Sequence, residues 1–414
     1  MSVAQVALYV ILFLATYAQL FLLVTFLGKR KELNRYDQLP DFPATIPTVA
    51  VVVPCWNEQA TVHGTVESLL ALDYPKDRFE IIIVDDGSTD STWNEILKYK
   101  GHPQVRMFQK ENGGKHTAVN FGLTHTTADL VGCIDADSFV APDALRRIVA
   151  AFARRPDAMA VCPSIIIYKP KGILQHIQRA EYNLSLYIKK ALSFANGLHV
   201  VPGPFSFFRR EVFEKIGPFR KAHNTEDAEI AFRMQINHMK IEHCHQAHVY
   251  TVAPKSIPGL IRQRTRWIYG FIQNTRDYRK YLLKGKYGTF SLFTVPMGFV
   301  SIGTLIYIFW MLLWAAGVYV AKKYIQFHTV GIHTSAHLFH VDPFFINTSV
   351  ITVASVLLYS FLFVTIFFGH KIADEKKIPF HYIIVYVLLY IFLEPIWLMK
   401  ALWNAVTAQK PKWR

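Results

Sequence analysis

The sequence predicts an α/β domain with a Rossmann-like, mostly parallel sheet, held between membrane-embedded ends. Between residues 49 and 154, short apolar runs alternate with stretches of helical spacing. This alternation is typical of the strands and crossover helices of a parallel sheet. Long uncharged runs lie on both sides of this region, and 52% of the 414 residues are hydrophobic. That fraction is high for a soluble protein, so part of the chain is expected to lie in a membrane.

Four short segments are predicted as strands: residues 49–53, 81–84, 105–108 and 130–134. The first two are continuous apolar runs, which are typical of strands that are buried on both faces. Helical spacing follows them in residues 59–72, 91–99, 115–124 and 142–154. Because ligands of such sheets bind beyond the carboxyl ends of the strands, we expect the residues that follow these strands to meet in one crevice.

The first apolar run covers residues 3–27 and is followed by Lys29, Arg30 and Lys31. It is long enough to span roughly 30 Å of hydrocarbon as a helix. A cleaved signal peptide is the alternative, and it is disfavoured because no basic residue precedes the run. Since positive flanks stay in the cytoplasm, the chain after residue 28 is expected to be cytoplasmic.

Three more apolar stretches, residues 292–320, 346–369 and 380–407, are each long enough to cross a membrane. Three crossings would leave the end of the chain outside, whereas the basic residues after Lys410 favour the cytoplasm. Glu394 and Pro395 are compatible with a break and re-entry in the last stretch, and the region of Pro296 with a position in the interface. The number of crossings therefore stays open.

The net charge of +15 is concentrated next to the membrane rather than in a nucleic-acid motif. Nine Lys or Arg and one acid, Asp277, lie between Lys255 and Lys286. This pattern indicates a surface that faces anionic lipid headgroups, and nucleic acid is not an expected partner. The four cysteines form no CxxC pair, which favours buried free thiols in a reducing compartment: Cys55, Cys133, Cys162 and Cys244.

Five short signatures follow one another along the central region. They are Pro54-Cys55-Trp56-Asn57-Glu58, Asp85-Asp86-Gly87-Ser88, Asp135-Ala136-Asp137, Thr225-Glu226-Asp227 and Gln263-Arg264-Thr265-Arg266-Trp267. Each is weak alone, but their order and their position after predicted strands favour a transferase that uses a nucleotide sugar.

Carboxylates in these signatures suit two steps of such a transfer. Asp135 and Asp137 could hold a divalent cation that neutralises a leaving diphosphate, the alternative being a solvated acidic turn. Asp227 opens a predicted helix that Thr225 is suited to cap. It could be a general base for a sugar hydroxyl, or simply an acid at a helix start.

Basic and aromatic residues supply the remaining candidates. Lys115 follows Gly113 and Gly114 and could meet a phosphate, although a simple turn is the alternative. Arg266 could bind the diphosphate, and Trp267 could stack on a sugar ring or anchor a helix in the membrane interface.

By these motifs, the chain resembles the membrane-bound processive family 2 glycosyltransferases with a GT-A fold, a group that includes cellulose, hyaluronan, chitin and poly-N-acetylglucosamine synthases. The resemblance covers residues 45–285 by motif and the flanks by layout. It implies Asp227 as the base and Mg or Mn as the cofactor, on Asp135 and Asp137. The residues implied in nucleotide binding are Glu58, Asp85, Asp86, Lys115, Asp135 and Arg266. Those implied in acceptor binding are Glu226, Gln263 and Trp267.

Two details refine the resemblance. The Thr-Glu-Asp form and the compact layout with one N-terminal span are similar to the poly-N-acetylglucosamine type. The segment from Pro202 to Arg210 resembles an acceptor-side loop of the family but departs from it by its two prolines, Pro202 and Pro204.

The resemblance implies an inverting, metal-dependent transfer of a hexose, with N-acetylglucosamine first in line, from a UDP-sugar to a growing, exported polysaccharide. The expected domains are a transmembrane helix (1–28), a cytoplasmic catalytic domain (29–255), basic interfacial helices (256–288) and a C-terminal transmembrane region (289–414). Membrane lipids are expected partners, and an accessory membrane subunit is compatible with this layout. Two alternatives stay open: a non-processive transferase that adds one sugar to a lipid acceptor, and an inactive scaffold subunit of a membrane assembly.

A cluster of histidines lies in a loop that is predicted outside: His328, His333, His337 and His340. His333 and His337 are four residues apart and could share a helix face that binds a transition metal. A polar extracellular loop is the alternative.

Overall fold

The computed structural model describes residues 3–33, 40–330, 350–373 and 379–411. Eight strands form one sheet in the order β3-β2-β1-β4-β7-β6-β8-β5. Their bounds are β1 Val49–Cys55, β2 Phe79–Asp85, β3 Val105–Gln109, β4 Leu130–Cys133, β5 Phe139–Val140, β6 Ala158–Ile167, β7 Ser206–Arg209 and β8 Lys240–Thr251. The four strands predicted from the sequence are all present.

The sheet is mixed, and its parallel half carries the predicted strands. Strands β3, β2, β1 and β4 are parallel to one another. Strand β7 is antiparallel to both β4 and β6, and β5 is antiparallel to β8. This is a GT-A-like arrangement, so the predicted fold class is confirmed. The antiparallel strands lie after residue 134, beyond the runs that the sequence indicated.

Thirteen α-helices lie in the described part of the chain. They are α1 Val3–Gly28, α2 Arg30–Leu33, α3 Val62–Leu70, α4 Thr92–Leu97, α5 Lys115–Thr124, α6 Ala144–Arg154, α7 Gly172–Phe194, α8 Arg210–Ile216, α9 Glu226–Ile236, α10 Ile257–Asp277, α11 Val295–Val330, α12 Val350–Ala373 and α13 Phe380–Val406. Helix α5 has the predicted bounds. Helix α6 begins at Ala144, two residues later than predicted, and Asp143 occupies the position before its first turn.

The core lies on both faces of the parallel strands, since successive strand residues point to opposite sides. Val51 and Ile81 pack in one apolar cluster and Val52 and Ile82 in another. A Cβ on Gly122 would lie 2.5 Å from Val52. Helix α5 therefore approaches β1 as closely as a glycine allows, which fixes the start of that helix at the edge of the sheet.

The parallel strands end at one edge of the sheet. Cys55, the last residue of β1, is paired with Asp85, the last residue of β2. Strand β4 continues this edge, because Cys133 is paired with Val52. The segments that carry Glu58, Asp86 and Asp135 therefore leave the sheet side by side.

Four helices are long and apolar enough to cross a membrane. They include residues of α1, α11, α12 and α13. Helix α13 runs without interruption through Pro395, so the break that Glu394 and Pro395 allowed is not found in the described helix. A π-turn at Phe290–Thr294 leads directly into α11.

The four cysteines are all buried and free, as predicted. Of the histidine cluster, His328 lies in the last turn of α11. His333, His337 and His340 lie outside the described residues, so the metal hypothesis for that cluster stays a prediction.

Candidate active site

One cavity of about 1210 Å³ opens at the carboxyl edge of the parallel strands. Glu58, Asp135 and Asp227 line one part of it, and Ile302 of α11 and Leu398 of α13 line another. The strand-end residues and the apolar helices therefore share a single space.

Asp135 and Asp137 lie in a tight turn after β4. The Ser138 N–H donates to the Asp135 carbonyl at 3.0 Å. The Thr65 hydroxyl on α3 donates to the carbonyl of the residue between the two acids at 2.9 Å. Burial, then the charges of Asp135 and Glu58, raise the pKa of Asp137 to about 6. This end of the cavity therefore has a surplus of negative charge that favours a bound cation.

The two carboxylates fit a divalent cation that shares its ligands with a substrate. In the described part of the chain, no three His, Cys, Asp or Glu residues are grouped so that they could hold a metal alone. Mg and Mn bind through one or two carboxylates and take their remaining ligands from phosphate oxygens and water. The donor set of Asp135 and Asp137 has this composition.

Lys115 stands opposite the acidic turn, at the first residue of α5. Its ammonium contacts Asp135 and lies 3.5 Å from the Oε1 of Glu226. Burial alone would lower the pKa of Lys115, but the two carboxylates raise it above its ordinary value. A Cβ on Gly203 would lie 2.6 Å from the Lys115 ammonium. The loop with the two prolines therefore passes directly against this charge.

Asp86 lines the cavity, and its carboxylate organises the glycine turn before α5. It accepts hydrogen bonds from Lys110 Nζ at 2.6 Å, from Gly113 N at 3.1 Å and from Gly114 N at 2.8 Å. These bonds fix the N-terminal end of α5 and hence Lys115. A contact of Asp86 with the nucleotide stays a prediction.

Asp85 does not share this position. Its carboxylate accepts from the Ser88 N–H at 3.1 Å and from Gln109 Nε2 at 3.0 Å. Among the described residues that line the cavity, Asp85 is missing. The structure therefore gives Asp85 a role in shaping the loop after β2, and brings only its neighbour to the site.

Asp227 lies in the first turn of α9 and lines the cavity. Burial, then the charge of Glu226, raises the pKa of Asp227 to about 6, while Lys115 and Arg266 oppose the shift. A carboxylate with a pKa close to neutral is suited to accept a proton.

Thr225 directly precedes α9, but its hydroxyl does not cap the helix. It donates to the Ala222 carbonyl at 3.0 Å and accepts from Asn274 Nδ2 on α10 at 3.0 Å. The expected capping bond is therefore wrong. The hydroxyl joins α9 to α10 instead.

Helix α10 brings Gln263, Arg266 and Trp267 to the cavity. Arg266 donates to the Asn224 carbonyl at 2.9 Å, which holds its guanidinium beside the loop that leads to Asp227. The helix begins with a side-chain cap, in which Ser256 accepts from the Gly259 N–H.

Trp267 is held by a buried ion pair. The Arg264 guanidinium lies 4.2 Å from the centre of the Trp267 ring and donates to Glu181 on α7 at 2.8 Å. Glu181 also accepts from the Tyr390 hydroxyl on α13 at 2.6 Å. Trp267 itself is 38% exposed, so part of the indole face is free to meet a ligand.

Sequence reasoning missed the contribution of α7 and of the segment after it. Glu181, Lys189 and His199 all line the cavity. Burial, then the charge of Lys189, lowers the pKa of His199 to about 4. Its buried Nδ1 has no hydrogen-bond partner among the described residues. Apolar residues recur with helical spacing in residues 172–194, and this signal could have found Glu181 and Lys189 on α7.

Comparison with known proteins matches part of the chain to a family. Residues 50–217 match the family model "Glycosyl transferase family 2". Poly-beta-1,6-N-acetyl-D-glucosamine synthase of Staphylococcus epidermidis is 29% identical over 272 residues, which are 65% of this chain and 66% of the relative. The enzyme of that name in Staphylococcus aureus (strain COL) is 29% identical over 287 residues, 69% of this chain and 66% of the relative.

A solved structure supports the fold over nearly the whole chain. The mannosyltransferase PcManGT from Pyrobaculum calidifontis, in complex with GDP-Man and Mn2+, has a TM-score of 0.58 at 20% sequence identity. The match covers 96% of this chain and 99% of that one.

The fold is of the GT-A type, and the family match and the named relatives support a glycosyltransferase. The match to glycosyltransferase family 2 covers residues 50–217, and the same chain has four helices that are long and apolar enough to cross a membrane. The aligned region spans 66% of the length of the curated synthases.

Proposed function

We propose that this chain is a membrane-bound, inverting, metal-dependent transferase that builds a polysaccharide from a UDP-sugar, with N-acetylglucosamine as the first candidate. The observation that carries the proposal is the single cavity that joins Asp135, Asp137 and Asp227 to the apolar helices α11 and α13. A donor bound at the strand ends and an acceptor that reaches the membrane would meet at Asp227.

The donor end suits a nucleoside diphosphate sugar. A divalent cation on Asp135 and Asp137, Mg or Mn, supplies positive charge for the departing UDP when it is bound. The mannosyltransferase with the similar fold was solved with GDP-Man and Mn2+. Lys115 adds a permanent positive charge on the other side of Asp135, where a phosphate oxygen would compete for it.

The transfer itself needs one displacement. The acceptor hydroxyl loses its proton to the Asp227 carboxylate, and its oxygen forms a bond to the anomeric carbon. The bond from that carbon to the diphosphate oxygen breaks, and UDP leaves with the electron pair. Attack from the face opposite to UDP inverts the anomeric centre. Arg266, which lies beside Asp227, stabilises the negative charge that develops on the diphosphate.

The names of the relatives favour one donor sugar. Both staphylococcal proteins are named as synthases of poly-beta-1,6-N-acetyl-D-glucosamine, which favours UDP-N-acetylglucosamine and a glycan acceptor. The catalytic domain would then lie in the cytoplasm, where UDP-sugars are available, and the product would leave through the membrane region.

A donor panel tests the proposal. The purified full-length chain in lipid nanodiscs is offered several UDP-sugars with Mg or Mn, and UDP release and the linkage of the product are measured. We expect UDP-N-acetylglucosamine to be preferred, and both EDTA and Asp137→Ala to abolish release. Full activity of the wild type in EDTA would contradict the metal role. A chain that releases no UDP from any donor would favour the scaffold alternative.

A non-processive transfer to a lipid is the second candidate, because Ile302, Leu305 and Leu398 give the membrane end of the cavity an apolar wall. Product size separates the two candidates. A lipid acceptor would give a single extended species that partitions into organic solvent, whereas a synthase would give a ladder.

A further inference from the structure

Glu394 is an ionisable residue in the middle of the apolar helix α13, and it lines the cavity. Its carboxylate forms no hydrogen bond or ion pair with any residue in the described part of the chain. An ionisable group among apolar residues is costly to bury, so it usually has a functional reason. Glu394 therefore needs a ligand that the protein itself does not supply.

The charges that face Glu394 are already engaged elsewhere. They are Glu181 of α7 and Arg264 of α10. The Arg264 guanidinium donates to Glu181 at 2.8 Å, and the Tyr390 hydroxyl donates to the same carboxylate at 2.6 Å. Since the Arg264 guanidinium is already engaged by Glu181, Glu394 has no cation of its own among the described residues.

The surroundings of Glu394 favour a neutral ligand that is rich in hydroxyl groups. A carboxylate that accepts hydroxyl hydrogen bonds recovers part of the hydration it loses in an apolar wall. Trp267 offers an aromatic face in the same cavity, while Leu398 and Ile302 offer apolar surface. Hydroxyls at the edge and apolar patches on the faces are the two properties of a pyranose ring.

Glu394 disfavours a phosphate group beside it, because its carboxyl group has no cation of its own among the described residues and the Arg264 charge is engaged by Glu181. The cavity also contains two cations with no ion pair among the described residues: Lys189, whose charge is within range of Asp227, and Arg262, which is exposed. Because these cations could bind a phosphate group, a phosphorylated lipid is the alternative ligand that the experiment has to exclude.

We propose that Glu394 forms, with the Trp267 face, an acceptor subsite for a neutral glycan, and that it selects a sugar chain over a phosphorylated lipid. The inference rests on the proposed function and deepens it, because it names the acceptor class. Glu394 accepts hydrogen bonds from hydroxyls of a sugar unit that lies behind the reacting end of the chain. Trp267 supports the ring that is closer to Asp227.

Direct binding tests the subsite without any transfer reaction. The full-length chain in nanodiscs is titrated with a β-1,6-linked N-acetylglucosamine tetrasaccharide, and separately with a polyisoprenyl phosphate, both without donor. We expect the wild type to bind the tetrasaccharide, and Glu394→Gln to bind it about tenfold more weakly, as for loss of a charged hydrogen bond. The matched control is Ile396→Ala, an exposed residue on the same helix, which should leave the dissociation constant unchanged.

UDP affinity and thermal unfolding show whether each variant is folded. Competition between the tetrasaccharide and the polyisoprenyl phosphate for the wild type gives a second result that needs no variant. Equal tetrasaccharide affinity of wild type and Glu394→Gln overturns the subsite. Preferential wild-type binding of the polyisoprenyl phosphate overturns it as well, and so does a wild type that binds no tetrasaccharide.

The proposed function is scored separately, by UDP release in the same preparation. A chain that binds tetrasaccharide through Glu394 but never releases UDP would contradict the function and keep the subsite. An active chain whose Glu394→Gln variant binds the tetrasaccharide normally would contradict the subsite and keep the function.

Discussion

Asp227 combines the position and the charge environment of a general base. It lies in the first turn of α9, with Glu226 beside it and the Arg266 charge close enough to oppose the rise of its pKa. The same first turn would suit a purely structural acid. The Asp227 carboxylate accepts from the Ala228 N–H of its own helix at 2.9 Å. The observation that favours the base is that Asp227 also lines the cavity.

Replacement Asp227→Asn should remove turnover and keep donor binding. The amide is the same size as the carboxylate but cannot take the acceptor proton, and loss of a general base costs roughly 10²–10⁴ in rate. The measurement is kcat for UDP release together with the dissociation constant for the UDP-sugar. Donor binding that weakens as much as the rate falls would assign Asp227 to the donor site instead.

The rate should also fall in acid. Burial, followed by the charge of Glu226, raises the pKa of Asp227 to about 6. Only the ionised form accepts a proton, so kcat should be level above pH 7 and drop about tenfold per unit below pH 6. The profile is measured at saturating donor and metal, so that Asp137 stays bound. The residual activity of Asp227→Asn should lack this acidic limb, and a wild type whose rate stays flat down to pH 5 would contradict the role.

At the level of single residues, the sequence predicted where the motif residues lie better than it predicted what each of them contacts. Lys115 and the acidic turn at Asp135 follow from strands and a helix start that are local in sequence. Asp85 and Asp86 are adjacent, and successive residues at a strand end point to opposite sides. The motif alone therefore could not say that Asp86 reaches the cavity and that Asp85 binds its own loop.

Helix α10 is the element that joins the candidate site residues to the apolar helices. A Cβ on Gly270 would lie 2.2 Å from the Thr225 hydroxyl, so α10 touches the segment before α9 at this glycine. Asn274 of α10 donates to the same hydroxyl at 3.0 Å. This close contact sets the distance between Arg266 and Asp227.

Replacement Gly270→Ala should therefore reduce kcat strongly although Gly270 touches no substrate. The added methyl forces α10 away from Thr225, and small misplacements of a reacting group can cost about 10²-fold in rate. The matched control is Gly303→Ala on α11, where a Cβ would meet nothing within 4 Å. If both variants retain wild-type kcat, the contact of α10 with Thr225 does not position the site.

The sequence alone could not predict which elements, distant along the chain, pack together. The stretch that forms α7 carries no motif, yet it supplies Glu181 and Lys189 to the cavity. A break of helix α13 at Pro395 was left open by the sequence, because proline removes a helical hydrogen bond. The helix is continuous, as proline is tolerated in an apolar helix where neighbouring helices pack against it.

The arrangement of the apolar helices suggests an answer to the topology that the sequence left open. Phe26, near the C-terminal end of α1, lies 4.9 Å from Tyr187 of α7 and 5.0 Å from Phe368 near the end of α12. Helix α13 stays against the catalytic helices from Tyr382, which stacks on His176 at 4.3 Å, to Ala401, which is buried. We therefore expect α1, α11 and α12 to cross, and α13 to lie along the cytoplasmic interface.

Accessibility labelling tests this topology. A tag inserted after Lys410 and a tag near Lys110 should both be protected in intact cells, and a tag between residues 331 and 349 should be labelled. The orientation follows from the basic flank at Lys29 and the parity of three crossings. Labelling of the tag after Lys410 from outside would mean that α13 crosses, and labelling at Lys110 would reverse the orientation of the catalytic domain.

The central claim is that donor site, base and membrane path form one space, so that the product grows on the enzyme. The most direct measurement is the size distribution of the product that the purified chain in nanodiscs makes from radiolabelled UDP-N-acetylglucosamine with Mg or Mn. We expect a ladder or a long polymer that is attached to the nanodisc fraction, even when few enzyme molecules have started a chain. A single labelled species of fixed size, or UDP release with free sugar as the only product, would contradict it.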